Sequence, residues 1–283
     1  MTNWGRIFLM TLILIFFCNI PAVQGENIHV LVNIWDGTRR PIVNNLYNHG
    51  KLPFLSTVGS LHNLTSDTDC FDGTCMITQT KPQHATMLTG CLADVHRVYT
   101  NDNYQLIPDG ITVYELIEAN NPEVKTAHIA GIAANVGKPT FGNIVDNVDY
   151  FEAGISPNTV TDAAVNLINQ WKDDSFFIVC HFRTPDIVGH MYGYSSSIYR
   201  GTIKENDARL GRLFSALEAA GANAQTTVYV LSDHGFGCPT IFRHACSPNT
   251  FIVSNNVNLV GDIYMKNVAA LLLSHFGLSP VCQ

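Results

Sequence analysis

Residues 28–37, IHVLVNIWDG, form a short apolar run that ends at an acidic side chain and a glycine. Val, Ile and Trp favour β-strands, and such runs are typical of strands buried on both faces of a parallel sheet. Residues 175–182 and 226–231 have the same character. The sequence therefore predicts three buried strands, the first of which runs directly into Asp36.

Helical patterns separate these strands along the chain. In residues 198–220, for example, Leu210, Leu213 and Leu217 are spaced three or four positions apart. Helices are predicted at 41–49, 80–90, 111–119, 159–171, 198–220 and 268–276, and further strands at 125–131 and 251–254. Helices that alternate with buried strands predict an α/β fold, with a mostly parallel central sheet flanked by helices on both faces. The sequence contains no internal repeat or linker, so residues 26–283 are predicted to form a single domain.

The composition excludes several classes of protein. Of 283 residues, 46% are hydrophobic and 14% are charged, which is incompatible with a disordered polyelectrolyte. The formal net charge is −7 and the sequence has no cluster of Lys and Arg, so we expect no nucleic-acid-binding face.

Residues 1–25 have the features of a signal peptide. Arg6 precedes an apolar run at 7–20 that is too short for a typical membrane span. Small residues follow, so cleavage is predicted near Glu26 and the mature chain is expected to be secreted or otherwise extracytoplasmic. If this segment is not cleaved, it would instead anchor the chain in a membrane.

Export makes disulfide bonds a reasonable expectation. Cys180 ends an apolar run and is predicted to be a buried free thiol. Six cysteines lie in loop-like contexts and can form up to three disulfides, whose pairing the sequence leaves open: Cys70, Cys75, Cys91, Cys238, Cys246 and Cys282. Of these, Cys70 and Cys75 are the closest pair in sequence and are predicted to form a local bridge.

Residues 80–90, TKPQHATMLTG, predict a helix that places a hydroxyl group at its start. Pro82 suits the first turn of a helix and Gly90 suits its end. Thr80 would then lie near free backbone N–H groups and the positive end of the helix dipole, where an anion such as phosphate is stabilised. The alternative is that Thr80 caps the helix and does nothing else.

Carboxylates and imidazoles follow the predicted strands. The residues concerned are Asp36, Asp186, His190, Asp233, His234 and His244. In open α/β sheets, ligands bind beyond the carboxyl ends of the strands. Because several buried acidic groups with no basic partners are tolerated only around cations, the pattern predicts a metal centre.

These residues can be divided between two ions. One ion is predicted at Asp186, His190 and His244; the second is predicted at Asp36, Asp233 and His234, together with the Thr80 hydroxyl. Neutral imidazoles with carboxylates suit zinc, and manganese or iron are alternatives. Two ions roughly 4 Å apart can clamp the oxygens of an in-line phosphoryl transfer.

Five pieces of the chain also carry a resemblance to a known family. They are residues 36–39 (DGTR), 80–90 (TKPQHATMLTG), 185–190 (PDIVGH) and 232–235 (SDHG), and His244. In this order they resemble the alkaline phosphatase superfamily, and within it the type I phosphodiesterase/nucleotide pyrophosphatase group. The resemblance implies that Thr80 is the nucleophile and that the six Asp and His residues hold two zinc ions. It also implies that Asn101 contacts a phosphoryl oxygen.

The chain departs from that group in two places. Lys81 occupies a position where the group usually has an aromatic residue, which makes base stacking beside the nucleophile doubtful. Only ten residues separate His234 from His244, where nucleotide pyrophosphatases carry a long insert.

Sulfatases would need Cys or Ser at the position of Thr80. Mutases that share the metal motifs belong to central metabolism, which does not fit export.

The sequence thus predicts a secreted two-metal hydrolase of small-molecule phosphate esters that acts through a phosphoryl-enzyme on Thr80. Diesters are the predicted substrates, because the matched motifs are those of diesterases and the short connection leaves the site open. A monoesterase, a phosphonate hydrolase and a catalytically silent binding protein are the alternatives. Four cations lie close in sequence to the motifs and could meet the extra charge of a monoester: Lys81, Arg97, Arg183 and Arg243.

Overall fold

The computed structural model describes residues 27–68, 70–71, 74–102, 106–136 and 140–282. The predicted export segment, residues 1–25, lies outside the described residues, and the signal peptide stays a prediction. The side chains of Cys70 and Cys75 also lie outside what the structure describes, so their bridge is untested. Within the described ranges, no helix has the length and apolar character needed to cross a membrane.

Strands and helices alternate along most of the described chain. The strands are β1 His29–Trp35, β2 His62–Thr65, β3 Cys70–Phe71, β4 Thr74–Cys75, β5 Lys125–Ala130, β6 Tyr150–Ala153, β7 Phe176–Phe182, β8 Thr226–Leu231, β9 Asn249–Ser254 and β10 Ile263–Tyr264. The helices are α1 Arg40–Asn48, α2 Pro53–Val58, α3 Thr80–Thr89, α4 Ala93–His96, α5 Val113–Asn120, α6 Ala133–Val136, α7 Gly142–Asp146, α8 Pro157–Gln170, α9 Thr184–Tyr192, α10 Ser197–Ala219 and α11 Val268–Ser274.

Eight of the strands form one sheet in the order β10-β2-β9-β8-β1-β7-β5-β6. The five strands from β8 to β6 pair in parallel. On the other side of β8, β9 runs antiparallel to both β8 and β2. The predicted mostly parallel sheet is therefore confirmed, with an antiparallel strand inserted near one edge.

The alternation of side chains along β1 produces two apolar cores, one on each face of the sheet. Val30, Val32 and Ile34 pack with residues of α3, α5 and α11. Leu31 and Trp35 pack on the other face with residues of α1, α2, α8 and α10. These strand residues are fully or almost fully buried. Helices therefore cover both faces, as predicted.

The topology brings the predicted acidic residues to one edge. β8, β1 and β7 are neighbours in the sheet, and their carboxyl ends lead into Asp233, Asp36 and helix α9 respectively. α9 begins two residues after β7 ends, so its first turns lie at the same edge of the sheet. Asp186 and His190 are four positions apart within α9 and therefore lie one helical turn apart on the same side of it. The sequence did not predict this helix; Pro185 in its first turn is compatible with it.

Helix α3 begins at Thr80, the first residue of the predicted helix, and its cap is the residue before. Gln79 is the N-cap and Thr80 is the first helical residue, so Thr80 does not itself cap the helix. Gly90 ends α3 in the left-handed conformation with φ of 72°, which glycine adopts without steric cost. All ten residues of α3 are buried. The helix is thus an internal element that carries Thr80 to the edge of the sheet.

Two disulfides are present among the described residues. Cys91, just after α3, is bonded to Cys282, and Cys238 is bonded to Cys246. Cys180 is a buried free thiol, as predicted. The sequence had left the pairing of the other cysteines open, because Cys91 and Cys282 are 191 residues apart.

Candidate metal centre and active site

The hydroxyl of Thr80 faces the carboxylate that follows β1. Thr80 Oγ1 donates a hydrogen bond to Asp36 Oδ1 over 3.4 Å, and Thr80 is 2% exposed. Asp36 Oδ1 also lies 3.3 Å from His234 Nε2. His234 Nε2 in turn lies 3.7 Å from Asp233 Oδ2. The structure therefore brings together the four residues predicted at the second ion, which we call the inner group.

The other three predicted ligands form a second group beside it. Asp186 Oδ1 lies 3.5 Å from His190 Nε2 and 3.3 Å from His244 Nε2. The two Nε2 atoms are 3.1 Å apart. We call Asp186, His190 and His244 the outer group, since His190 and Asp186 retain some exposure whereas the inner group is buried. The rings of His234 and His244 stack with centroids 4.0 Å apart, so the two groups are adjacent.

These distances suit a bound metal ion. A zinc ion with ligand bonds of about 2.0–2.1 Å in tetrahedral geometry holds its ligand atoms roughly 3.3 Å apart. The three separations in the outer group are 3.1, 3.3 and 3.5 Å. In the inner group, Asp36 Oδ1 lies 3.4 Å from Thr80 Oγ1 and 3.3 Å from His234 Nε2, and the distance from His234 Nε2 to Asp233 Oδ2 is longer, 3.7 Å. Both groups therefore have the nitrogen and oxygen donors, and the spacing, that a divalent cation requires.

The imidazoles of these two groups are oriented through their other ring nitrogen. His190 Nδ1 lies 2.9 Å from Phe242 O, His234 Nδ1 lies 2.9 Å from Gly235 O, and His244 Nδ1 lies 2.6 Å from Thr78 O. A carbonyl oxygen can only accept, so each Nδ1 carries a proton, and Nε2 is the nitrogen that each ring can offer to a metal ion. This arrangement is common for metal-ligating histidines.

Electrostatics also favour a cation. Burial, and then the charge of Asp36, raise the pKa of Asp233 to about 6 and the pKa of Asp186 well above its usual value. Burial lowers the pKa of His234, but Asp233 and Asp36 outweigh that effect and raise it to about 10. Without a metal ion, the carboxylates thus need a proton on His234 to compensate their charge. A divalent cation would supply this positive charge and leave the imidazole neutral.

Gly37 allows the two groups to approach each other. Its φ is +61°, and a Cβ built on it would lie 2.8 Å from Asp186 Oδ1 and 3.1 Å from Asp186 Cα. Its backbone N–H donates to Asp233 Oδ1 over 3.1 Å. Any other residue would be strained and would displace Asp186. The glycine that follows Asp36 is therefore required by the packing of the site.

Asn101 is held at the start of α3. Its Oδ1 accepts a hydrogen bond from the backbone N–H of Lys81 over 2.9 Å, and its own backbone N–H donates to Gln79 Oε1 over 2.8 Å. Because Oδ1 is used in this way, the Nδ2 amide is the group that Asn101 can offer to a phosphoryl oxygen next to Thr80.

The four cations named from the sequence occupy different surroundings. Lys81 is 1% exposed, and burial lowers its pKa. Arg183 donates through Nη1 to Gly131 O over 3.2 Å and lowers the pKa of Asp186 against the larger effect of burial. Arg243 is exposed, and its charge contributes to lowering the pKa of His190 after burial. Arg97 adopts a positive φ of 64° at the end of α4.

Two histidines beside the inner group were not predicted. His84 Nε2 lies 3.7 Å from Asp233 Oδ2, and His181 Nε2 lies 3.1 Å from Asp36 Oδ2. Both side chains are fully buried. The signal was present in the sequence: His84 is one helical turn after Thr80, and His181 is a polar residue near the end of an otherwise apolar strand.

Comparisons with known proteins agree with this geometry. Residues 30–273 match the model of the type I phosphodiesterase / nucleotide pyrophosphatase family. A bis(5'-adenosyl)-triphosphatase of Xenopus laevis is 27% identical over 176 residues, which cover 56% of this chain and 38% of that protein. The chain thus spans well under half the length of this curated relative.

Solved structures share the fold. The alkaline phosphatase of the Antarctic bacterium TAB5 superposes with a TM-score of 0.60 at 14% identity, covering 89% of this chain and 98% of that chain. The murine ectonucleotide pyrophosphatase / phosphodiesterase 5 superposes with a TM-score of 0.53 at 21% identity, covering 73% of this chain and 57% of that chain. At such identities the likeness concerns the fold alone.

Proposed function

Because the chain belongs to the type I phosphodiesterase / nucleotide pyrophosphatase family, we propose that it hydrolyses phosphodiesters, with Thr80 as the nucleophile. The observation that carries this proposal is the contact of the Thr80 hydroxyl with Asp36, in a buried group that also contains His234 and Asp233. We further propose that the inner and outer groups each hold one divalent cation, zinc being the best match to their donors.

The chemistry then proceeds in two displacements. Thr80 Oγ1 loses its proton and bonds to phosphorus, and the bond from phosphorus to the leaving oxygen breaks with its electron pair, which releases an alcohol and leaves on Thr80 a phosphoryl group that still carries the second ester substituent. Water then attacks phosphorus and gives up a proton, and the Thr80 oxygen leaves and is protonated again, which releases a phosphate monoester. When bound, the two cations would stabilise the charged oxygens and favour the ionised hydroxyl.

The residues of the chain supply orientation for both displacements. Asp36 Oδ1 fixes the Thr80 hydroxyl at the start of α3. Asn101 donates through Nδ2 to a non-bridging phosphoryl oxygen, a contact that strengthens as charge develops in the transition state. The backbone of Lys81 holds Asn101 in place.

Exposed apolar side chains next to the outer group could contact a second, apolar ester group of the substrate, which supports the proposed preference for diesters. His190 contacts the backbone of Phe242, and Ile241 accepts a backbone hydrogen bond just beyond α9. Phe242, Ile241, Met191 and Tyr192 are between 42% and 62% exposed. A diester brings a second substituent that can cover such side chains, whereas a monoester of phosphate brings a second negative charge.

The proposed diester preference is tested with matched p-nitrophenyl mono- and diesters, with Zn²⁺ and after chelation. We expect a higher kcat/KM for the diester, and we expect Asn101→Ala to lower it about 100- to 1000-fold, because one donor to the developing charge is lost. Asn120→Ala removes an exposed amide on α5 and serves as the control. A monoester preference of tenfold or more would contradict the diesterase proposal, and no hydrolysis of either ester with metal bound would favour a silent binding protein.

Loss of the outer group should be visible in metal content. We expect His190→Ala to hold one divalent ion fewer per chain than the wild type, because it removes one of three donors that are 3.1–3.5 Å apart. Elemental analysis after dialysis measures this directly. His62→Ala, which changes a partly buried histidine on β2 outside both groups, is the control. Equal metal content in His190→Ala and the wild type would show that the outer group holds no ion.

We also propose that the mature chain works outside the cytoplasm. The two disulfides support this proposal, since such bonds persist in oxidising compartments. The predicted signal at residues 1–25 is consistent with it.

A further inference from the structure

We propose that His84, His181 and Asp233 hold a third divalent cation, at a position distinct from those of the inner and outer groups. A ring nitrogen of each histidine and a carboxylate oxygen of Asp233 lie within 4.8 Å of one another. His84 Nε2 is 3.7 Å from Asp233 Oδ2. Occupancy of this position does not depend on the reaction proposed above.

The two carboxylates of the inner group are shared with this position. Asp36 directs Oδ1 to Thr80 and His234, but its Oδ2 lies 3.1 Å from His181 Nε2. Asp233 Oδ2 lies 3.7 Å from His234 Nε2 and also 3.7 Å from His84 Nε2. Asp36 can therefore bridge two cations through its two oxygens, and Asp233 can bridge them through Oδ2 alone.

Burial of unpartnered nitrogens is the second observation. Neither ring nitrogen of His84, nor Nδ1 of His181, has a hydrogen-bond partner among the described residues. Both side chains are fully buried, and the two rings meet edge to face with centroids 4.9 Å apart. A buried polar group without a partner is costly. A shared cation would bind one of the two unpartnered ring nitrogens of His84 and the unpartnered Asp233 Oδ2.

The donors indicate which cation would bind. Two imidazole nitrogens with one or two carboxylate oxygens suit Zn²⁺ or Co²⁺, whereas Mg²⁺ prefers oxygen ligands and keeps its water. Because the side chains of His84, His181 and Asp233 are fully buried, a substrate cannot reach the position. Its role would be to fix Asp36 and Asp233, the carboxylates that border the nucleophile.

The first measurement is the metal content of the wild-type protein. The purified chain is stripped with a chelator, reloaded with Zn²⁺ or Co²⁺, dialysed and analysed for metal and protein. We expect about three ions per chain, and fewer with Mg²⁺ alone. A saturating content of two ions per chain would overturn the proposal whatever the variants do.

Variants then locate the ion. We expect His84→Gln and His181→Gln each to lose one ion per chain, with the other two retained. His128→Gln is the matched control. His128 is a buried histidine on β5, the strand next to β7, and its Nδ1 lies 2.8 Å from the Tyr114 hydroxyl; it is not one of the three proposed ligands. Circular dichroism checks the folding of each variant. Three ions in both His84→Gln and His181→Gln would overturn the proposal.

The outcomes also separate this proposal from the proposed function. Two ions per chain together with diester hydrolysis would remove the third cation and leave the hydrolase proposal intact. Three ions per chain in a protein that hydrolyses no phosphate ester would support the third cation and contradict the hydrolase proposal.

Discussion

Thr80→Ala is expected to lower kcat for the preferred diester about 10³- to 10⁵-fold, because it removes the oxygen that forms the bond to phosphorus. The fold should survive, since the change removes a hydroxyl and a methyl group at the first residue of α3, where the N-cap is Gln79. Steady-state kinetics with the metal-loaded protein measures the effect. Mass spectrometry of acid-quenched wild type during turnover should find on Thr80 a phosphoryl group that carries the remaining ester substituent of the diester.

Thr80→Ser is the matched variant, because it keeps a hydroxyl in the same position. We expect it to retain activity within about tenfold of the wild type, since the nucleophilic oxygen is preserved. Metal content separates a chemical from a structural effect: the Ala variant should keep its full complement, because Asp36, Asp233 and His234 remain. Near wild-type kcat in Thr80→Ala would refute the assignment of the nucleophile.

Removal of the disulfide between Cys91 and Cys282 is expected to lower the free energy of unfolding by about 4–5 kcal/mol, because the bond closes a very long loop and restricts the unfolded chain. The two residues are 191 positions apart, and they join the end of α3 to the end of the described chain. The double variant Cys91→Ser/Cys282→Ser, compared with the wild type by denaturant unfolding, measures the effect.

The second disulfide provides the comparison. Cys238 and Cys246 are eight residues apart, so their removal should lower the free energy of unfolding by a smaller amount, about 2–3 kcal/mol. Their loop contains His244, so that variant should lose activity in addition to stability. If the Cys91→Ser/Cys282→Ser variant is as stable as the wild type, the Cys91–Cys282 bond does not restrict the unfolded chain, and the prediction is wrong.

The central sheet could be predicted because its strands are apolar on both faces. β1, β7 and β8 begin and end within one residue of the predicted bounds. β6 was not predicted, since it lies at an edge and its residues are only partly buried. The antiparallel direction of β9 was not predictable either, because direction depends on a partner, β2, that lies far away in sequence.

The candidate site could be predicted where function places residues in contiguous motifs. Asp36, Asp233 and His234 directly follow strands, and Asp186 and His190 share a short motif, so their convergence followed from the sheet topology. His84 and His181 were not predicted because each lies inside a fully buried element, α3 or β7, and does not follow the end of a strand. Their role depends on the contact of α3 with the end of β7, which local sequence does not specify.

The strand order also governs when the site can assemble during synthesis. β1 leaves the ribosome first, but its two neighbours, β7 and β8, begin at residues 176 and 226. β9, at residues 249–254, must then insert between β2 and β8. Such distant pairings form slowly, and the incomplete chain exposes unpaired strand edges. We therefore expect an incomplete chain to bind no metal and to hydrolyse no ester until β7, β8 and β9 have joined the sheet.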